Sequence, residues 1–219
     1  MKNQRIPETS QGIAGEMLVT DYDKMQQTLR DKGVIPTKEL VLSGIDTGTG
    51  LEIGPGPGYL GLEWLKSTQG TKLHWLEISE DMRKLAQKNI EVYGLESRVF
   101  VTLGDATKGF PFQNDSFDAV FTNGSLHEWS NPVHVFNEIA RILRKDGRYF
   151  VSDLKRNTNR FIILIMKSMI KQRSMKHGMM TSIKAAYTKG ELEDLLSRSN
   201  LSNYIVSENA FGITITGVK

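Results

Sequence analysis

The chain has 219 residues, 39% hydrophobic and 24% charged, and no cysteine. That suits one globular domain and excludes disulfides, cysteine-ligated metals and a Cys nucleophile. The start, MKNQRIPETSQ, lacks the apolar stretch of a signal peptide, and the longest apolar run, 161–166, is too short to span a bilayer, so a soluble cytoplasmic protein is expected. The net charge of +3 is uneven: nine bases and no acid lie between Asp153 and Glu191, which leaves the rest of the chain at −6.

In chain order, apolar residues at helical spacing predict a helix over 12–32, stopped at Gly33, and a short one over 36–42. Then strands and helices alternate. Strands are predicted at 51–53, 72–76, 99–103, 117–121 and 149–154, with helices from 60, from 79 to Gly94, and over 132–143. Lys145-Asp146-Gly147 reads as the turn before the fifth strand. The stretch 155–183 interrupts the rhythm. A helix over 189–197 and two strands, 204–207 and 211–218, close the chain. This order predicts an α/β fold with a doubly wound, mostly parallel sheet. It divides into a helical cap (1–45), a ligand-binding core (46–154), a basic insert (155–188) and closing elements (189–219), all in one domain.

Ligands of such sheets bind at the carboxyl ends of the strands. Here those ends carry the turn Gly54-Pro55-Gly56-Pro57-Gly58, then Glu77, Asp105 and Asn123. Two readings of the turn compete. Residues 56–61 satisfy G-x-G-x-x-G, and Glu77 follows at about the 20-residue distance of a ribose-binding acid, as in dinucleotide sites. Counted from the strand end, however, the register is G-x-G-x-G, and Glu52 precedes it, where a carboxylate repels pyrophosphate but suits an ammonium group. S-adenosylmethionine carries such a group, with ribose hydroxyls for Glu77 and an adenine amine for Asp105. Each residue also has a purely structural role open to it: a tight turn for the glycines, a helix-start acid for Glu77, turn residues for Asp105 and Asn123.

LEIGPGPGYLG, the acid of LEIS, LGDAT, NDSFDAVFTNGSLHEW and VFNEIARILRKDGRYFVSDL, in this order over about 48–155, resemble the class I S-adenosylmethionine-dependent methyltransferases. Within these the chain is similar to type 11, the group that includes ubiquinone and menaquinone biosynthesis methyltransferases. The resemblance implies a Rossmann-like seven-stranded sheet with an antiparallel last strand and methyl transfer from S-adenosylmethionine. It implies a cofactor site of Glu52, Gly54, Gly56, Gly58, Glu77, Ile78, Asp105, Ala106 and Asn123.

His127, after the fourth strand, is the candidate general base, with Glu128 able to orient it; a pocket-shaping histidine beside Trp129 is the alternative. His74 and His134 read as structural, and the histidine spacing predicts no metal. The insert holds five of nine methionines, which suits an adaptable apolar surface. Tyr22, Met166, Lys167 and Lys171 are the candidate lid over a small, partly apolar, anionic acceptor; contact with an anionic membrane satisfies the same features, and nucleic acid is not expected. An NAD-dependent oxidoreductase and a non-catalytic binding protein of the same fold stay open as alternatives. The acceptor, the methylated atom and the oligomeric state are left open.

Overall fold

The computed structural model describes residues 4–8 and 12–219. The chain runs α1 (Glu16–Asp31), α2 (Thr37–Leu42), β1 (Thr49–Ile53), α3 (Tyr59–Ser67), β2 (Lys72–Glu77), α4 (Glu80–Tyr93), β3 (Val99–Leu103), β4 (Phe117–Asn123), α5 (Pro132–Ile142) and β5 (Leu143–Leu154). The insert folds as two helices, α6 (Arg160–Met169) and α7 (Arg173–Ala185). Then α8 (Lys189–Ser197), β6 (Tyr204–Glu208) and β7 (Gly212–Val218) complete the chain.

Seven strands form one sheet in the order β3-β2-β1-β4-β5-β7-β6. Pairs among β1 to β5 are parallel, while β7 is antiparallel to both neighbours. The strand order reverses between β1 and β4, so the crevice between their carboxyl ends is the switch point at which such sheets bind ligands. Strand alternation builds two cores. Leu51, Ile53 and Leu76 join Phe136, Ile139 and Leu192 on one face. Leu73 and Trp75 meet Trp64, Leu65, Ala86 and Ile90 on the other.

Two expected boundaries move. The first helix begins at Glu16, after Gly15 with φ 90°. Lys145-Asp146-Gly147 is no free turn: β5 starts at Leu143, which pairs with Phe117 before a register shift. The segment stays extended because Lys219 closes it: its carbonyl accepts from Asp146 N and its N–H donates to Gly147 O. Asp146 takes the strain, with φ 64°.

Trp75 packs directly beneath the glycine turn. A Cβ on Gly58 would lie 2.2 Å from its ring, and Gly58 has φ 87°. Gly58→Ala is therefore expected to lose roughly 1–3 kcal/mol from overpacking, read as a lower urea midpoint at unchanged slope. An unchanged midpoint would show that Trp75 does not constrain the turn.

Candidate functional site

The glycine turn is pinned at both ends. Gly54 N donates to Leu76 O at 2.9 Å, and Gly58 N to Pro55 O at 2.9 Å. Gly54, Gly56 and Gly58 all have positive φ, which other residues rarely adopt. Glu77 holds the middle. Its buried carboxylate accepts from Gly56 N at 3.0 Å and from Ser79 N, the first residue beyond β2's turn into α4, at 2.8 Å. Burial raises the Glu77 pKa, outweighing these backbone bonds. A carboxylate offers about four lone-pair sites, and the backbone N–H groups of Gly56, Ser79 and Ile78 face it, so acceptor capacity remains for a hydroxyl donor.

Glu52 points from β1 toward α3, where its Oε2 accepts from Trp75 Nε1 at 2.7 Å. A Cβ on Gly61 would sit 2.3 Å from that oxygen, so a glycine makes room for the acid. Burial, with Glu77's charge adding, pushes Glu52 up to about 8. The group expected to face an ammonium as a carboxylate is thus mainly a neutral acid at pH 7. Asp105 is half-buried and caps the turn Ala106–Lys108, accepting from Thr107 N and Oγ1 at 2.9 and 2.7 Å. Ile78, Ala106 and Asn123 are half-buried, and Asn123 lines the cleft beside Gly54.

Helix α1 lies over this cleft. Tyr22 and Gln26 line it, and a Cβ on Gly56 would be 3.3 Å from Tyr22 Cε1. Tyr59 donates to Asp23 at 2.8 Å, tying α1 to α3. The part of the cleft between Tyr22, Gly54 and Asn123 holds only about 20 Å³. Tyr22 of α1 fills the space over Gly56. The donor set fits S-adenosylmethionine: left-handed glycines for close backbone approach, a buried acid with spare acceptor sites, and strand-end polar groups along the rim.

The second cluster surrounds His127, on the turn Leu126–Glu128 after β4. His127 is 4% exposed. Its backbone N donates to Asp153 Oδ2 at 2.7 Å, and its Nδ1 lies 2.9 and 3.0 Å from the two Asp153 oxygens. Its Nε2 lies 3.3 Å from Glu8 and 3.9 Å from Glu128. Burial disfavours the charged ring, but Asp153's charge and hydrogen bond, with Glu8, outweigh it and push His127 up to about 10. Burial also pushes Glu128 up to about 7, with Glu8, Asp153 and Glu77 adding. Glu8 stays low: burial opposes ionisation, but hydrogen bonds from His127, Thr181 and Ser182 prevail. At neutral pH His127 is an imidazolium between two carboxylates. Glu8, His127 and Glu128 also set ligand atoms within 4.8 Å of one another, a spacing open to a metal ion once Nε2 is deprotonated, which the histidine spacing alone did not suggest.

Asp153, Glu8 and Arg5 were missed from the sequence. Asp153 had a signal, since it ends a strand next to β4 as Glu77 and Asp105 end theirs. The N-terminal strap had none. Arg5 donates to Ala185 O at 2.6 Å and to His127 O at 2.8 Å, and its guanidinium sits 4.2 Å over the Tyr187 ring. Of the expected lid, α7 does the covering: it packs against α1 and the His127 turn, and Ser174 donates to Asp21 at 2.5 Å. Met166 and Lys167 are only half-buried on α6, and Lys171 is exposed.

The family model of the type 11 methyltransferase domain matches residues 51–151. That match covers a little under half of the chain. It holds the glycine turn, Glu77, Asp105, Asn123 and His127, and ends two residues before Asp153. Over 104 residues, 48% of the chain, it is 31% identical to methyltransferase GfsG of Streptomyces halstedii, covering 37% of that protein. Over 112 residues, 51% of the chain, it is 30% identical to a demethylmenaquinone methyltransferase of Leptospira interrogans, covering 45% of it. The matches span less than half of either relative. Among solved structures, a methyltransferase from Methanococcus maripaludis, described as S-adenosylmethionine-dependent, superposes with a TM-score of 0.75 at 23% identity, over 95% of this chain and 97% of that one. The fold is that of these methyltransferases. No helix among the described residues is long and apolar enough to cross a membrane.

The cluster outside the glycine turn has a pH signature. His127's pKa is raised from 6.5, so its stabilisation is complete below pH 6.5 and is lost as pH rises through about 10. Glu8's is lowered from 4.5, so its share is complete above 4.5 and is lost as pH falls through the lowered value. Nitrogen-detected NMR should show both His127 ring nitrogens protonated at about pH 8, the reverse of a free histidine with its pKa of about 6.5. Asp153→Asn removes the main opposing charge, so burial then dominates and the ring should be neutral at that pH. A neutral ring in the unmodified protein would contradict the ion-pair assignment.

Proposed function

We propose that the chain is an S-adenosylmethionine-dependent methyltransferase acting on a small molecule, with His127, oriented by Asp153, accepting the proton of the acceptor. The carrying observation is the convergence, at one sheet edge, of the Glu77–glycine cradle with the buried His127–Asp153 pair. Gly56 N–H is already given to Glu77. It is therefore not free to bind a pyrophosphate, which argues against the dinucleotide reading.

S-adenosylmethionine supplies an electrophilic methyl group on a sulfonium. Glu77 would accept from the ribose hydroxyls, the left-handed glycines would admit the methionine part, and Asp105 and Ala106 would border the adenine. Methyl transfer needs in-line placement of the acceptor and removal of one proton if the acceptor is a hydroxyl or amine. The acceptor displaces Glu8 from Nε2. Glu8 would leave with the Nε2 proton, so that His127 stands neutral with a free Nε2 lone pair while Asp153 keeps Nδ1–H in place. With the cofactor bound, the X–H proton would pass to Nε2 as the acceptor takes the methyl group and sulfur keeps the electron pair of its broken bond to carbon.

The charge pattern also alters the expected acceptor. Glu8, Glu77, Glu128 and Asp153 surround the reacting end, while Lys171 and Arg173 of the insert face solvent. A hydrogen-bond-donating hydroxyl or ammonium suits that end better than an anion. A second reading has its own support: both His127 ring nitrogens are engaged by carboxylates, as a structural clamp in a non-catalytic cofactor-binding protein requires.

S-adenosylmethionine and S-adenosylhomocysteine should raise the melting temperature and NAD and ATP should not, with about 2.7 kcal/mol of stabilisation at about 100 times Kd. Equal shifts from NAD would overturn the cofactor. Glu77→Ala should weaken binding of S-adenosylhomocysteine at least about tenfold, from a loss of roughly 1.5–3 kcal/mol; calorimetry showing unchanged affinity would reduce Glu77 to a turn support. On an acceptor found by screening, His127→Gln should lower kcat by about 10²–10⁴-fold at unchanged cofactor affinity. Full activity in that variant would favour the clamp.

A further inference from the structure

We infer that α6 and the start of α7 form a docking surface for an anionic lipid bilayer. This does not rest on the methyltransferase reading. Helix α6, RFIILIMKSM, is largely apolar, yet none of its residues is buried. Phe161 is 68% and Leu164 64% exposed. Arg160, Phe161, Leu164 and Ser168 are all exposed and lie on one face of α6, and exposed Lys171 follows in the linker beyond its end. The stripe thus has an apolar centre, with Arg160 at its start and Lys171 just beyond its end. Helix α7 begins at Arg173, and its exposed positions Arg173, His177 and Lys184 carry no acid either.

The charges on this surface are unspent. Of the nine bases between Asp153 and Glu191, Lys155, Arg156 and Lys189 pair with Glu208, Glu191 and Glu193. Among the described residues, Arg160, Lys167, Lys171, Arg173, Lys176 and Lys184 have no carboxylate within 4.0 Å. A solvated helix face ordinarily intersperses both signs. An occupant has to be anionic and also has to receive Phe161 and Leu164. Lipid headgroups over acyl chains do both, for a helix lying in the interface plane. A single-stranded nucleic acid would draw on several stacking aromatics, and the stripe has one. Since α7 packs against the turn carrying His127, a docked protein holds its crevice within one helix of the lipid.

The test is co-sedimentation of the full chain with vesicles of phosphatidylcholine alone and of equal parts phosphatidylcholine and phosphatidylglycerol. Binding is expected to the second only, and should be largely lost between about 0.1 M and about 1 M salt, as the Debye length falls from about 10 Å to about 3 Å. The set Arg160→Glu, Lys171→Glu and Arg173→Glu should weaken binding more than about 30-fold, at about fivefold per base. Phe161→Ser with Leu164→Ser should weaken it about tenfold or more. All five side chains are exposed, so melting temperatures near the unmodified value are expected and show that the variants are folded. The proposal is overturned if the unmodified protein stays in the supernatant with the anionic vesicles at low salt, or if either variant set binds them undiminished. It also fails if a single-stranded oligonucleotide displaces the protein from vesicles and binds the Phe161/Leu164 variant as it binds the original. The surface would then serve a polyanion through charge alone.

Discussion

The Glu77 carboxylate is the contact on which the ligand crevice depends. It ends β2, yet it accepts from Gly56 in the turn after β1 and from Ser79 at the start of α4. One side chain thus sets the relative position of three elements. Charged hydrogen bonds of this kind are worth roughly 1.5–3 kcal/mol each, enough to hold a turn of three left-handed glycines in one shape. Trp75 beneath Gly58 and Glu52 beneath Gly61 fill the space below, and each demands a glycine above it. The turn is therefore rigid where a ligand would lie on it, which reduces the ordering cost of binding.

Charge is partitioned across the molecule. Acids gather in the crevice, where burial and mutual repulsion raise Glu52 to about 8 and Glu128 to about 7. His127 is the positive group at their centre, and Asp153 and Glu8 stabilise its proton. Buried carboxylates without such a partner would cost several kcal/mol each. Arg160, Lys171, Arg173 and Lys184 of the insert lie outside, facing solvent, while Lys155 and Arg156 are covered and paired. One net charge of +3 thus conceals an acidic interior edge and a basic exterior face.

Three covers meet over the crevice: α1 with Tyr22, the strap with Arg5 and Glu8, and α7. They are joined to one another by polar contacts between exposed or half-buried groups, such as Ser174–Asp21 and Glu8–Ser182, rather than by a deep apolar core. Segments of this kind open at lower free energy than core strands. The sheet edge beneath is fixed by strand pairing, so opening the covers leaves Glu77 and Asp153 where they are.

By itself the sequence determined the parts that local physics encodes. Strand and helix order followed from periodicity, and the crevice from the rule that strand ends converge, so Gly54, Glu77, Asp105, Asn123 and His127 were legible as one edge. Capping residues such as Ser79 and Gly94 marked helix ends because their effect spans one turn. Only the tertiary structure decided what the acids and His127 do. Glu52 reads as a ligand group until its burial against Trp75 is seen, because a pKa depends on neighbours far along the chain. His127 meets Asp153 across 26 residues and Glu8 across more than a hundred, and nothing local specifies such pairs. The division of the insert is likewise tertiary: α6 and α7 are both methionine-bearing and basic, and only packing against α1 and the His127 turn makes α7 the cover and leaves α6 exposed.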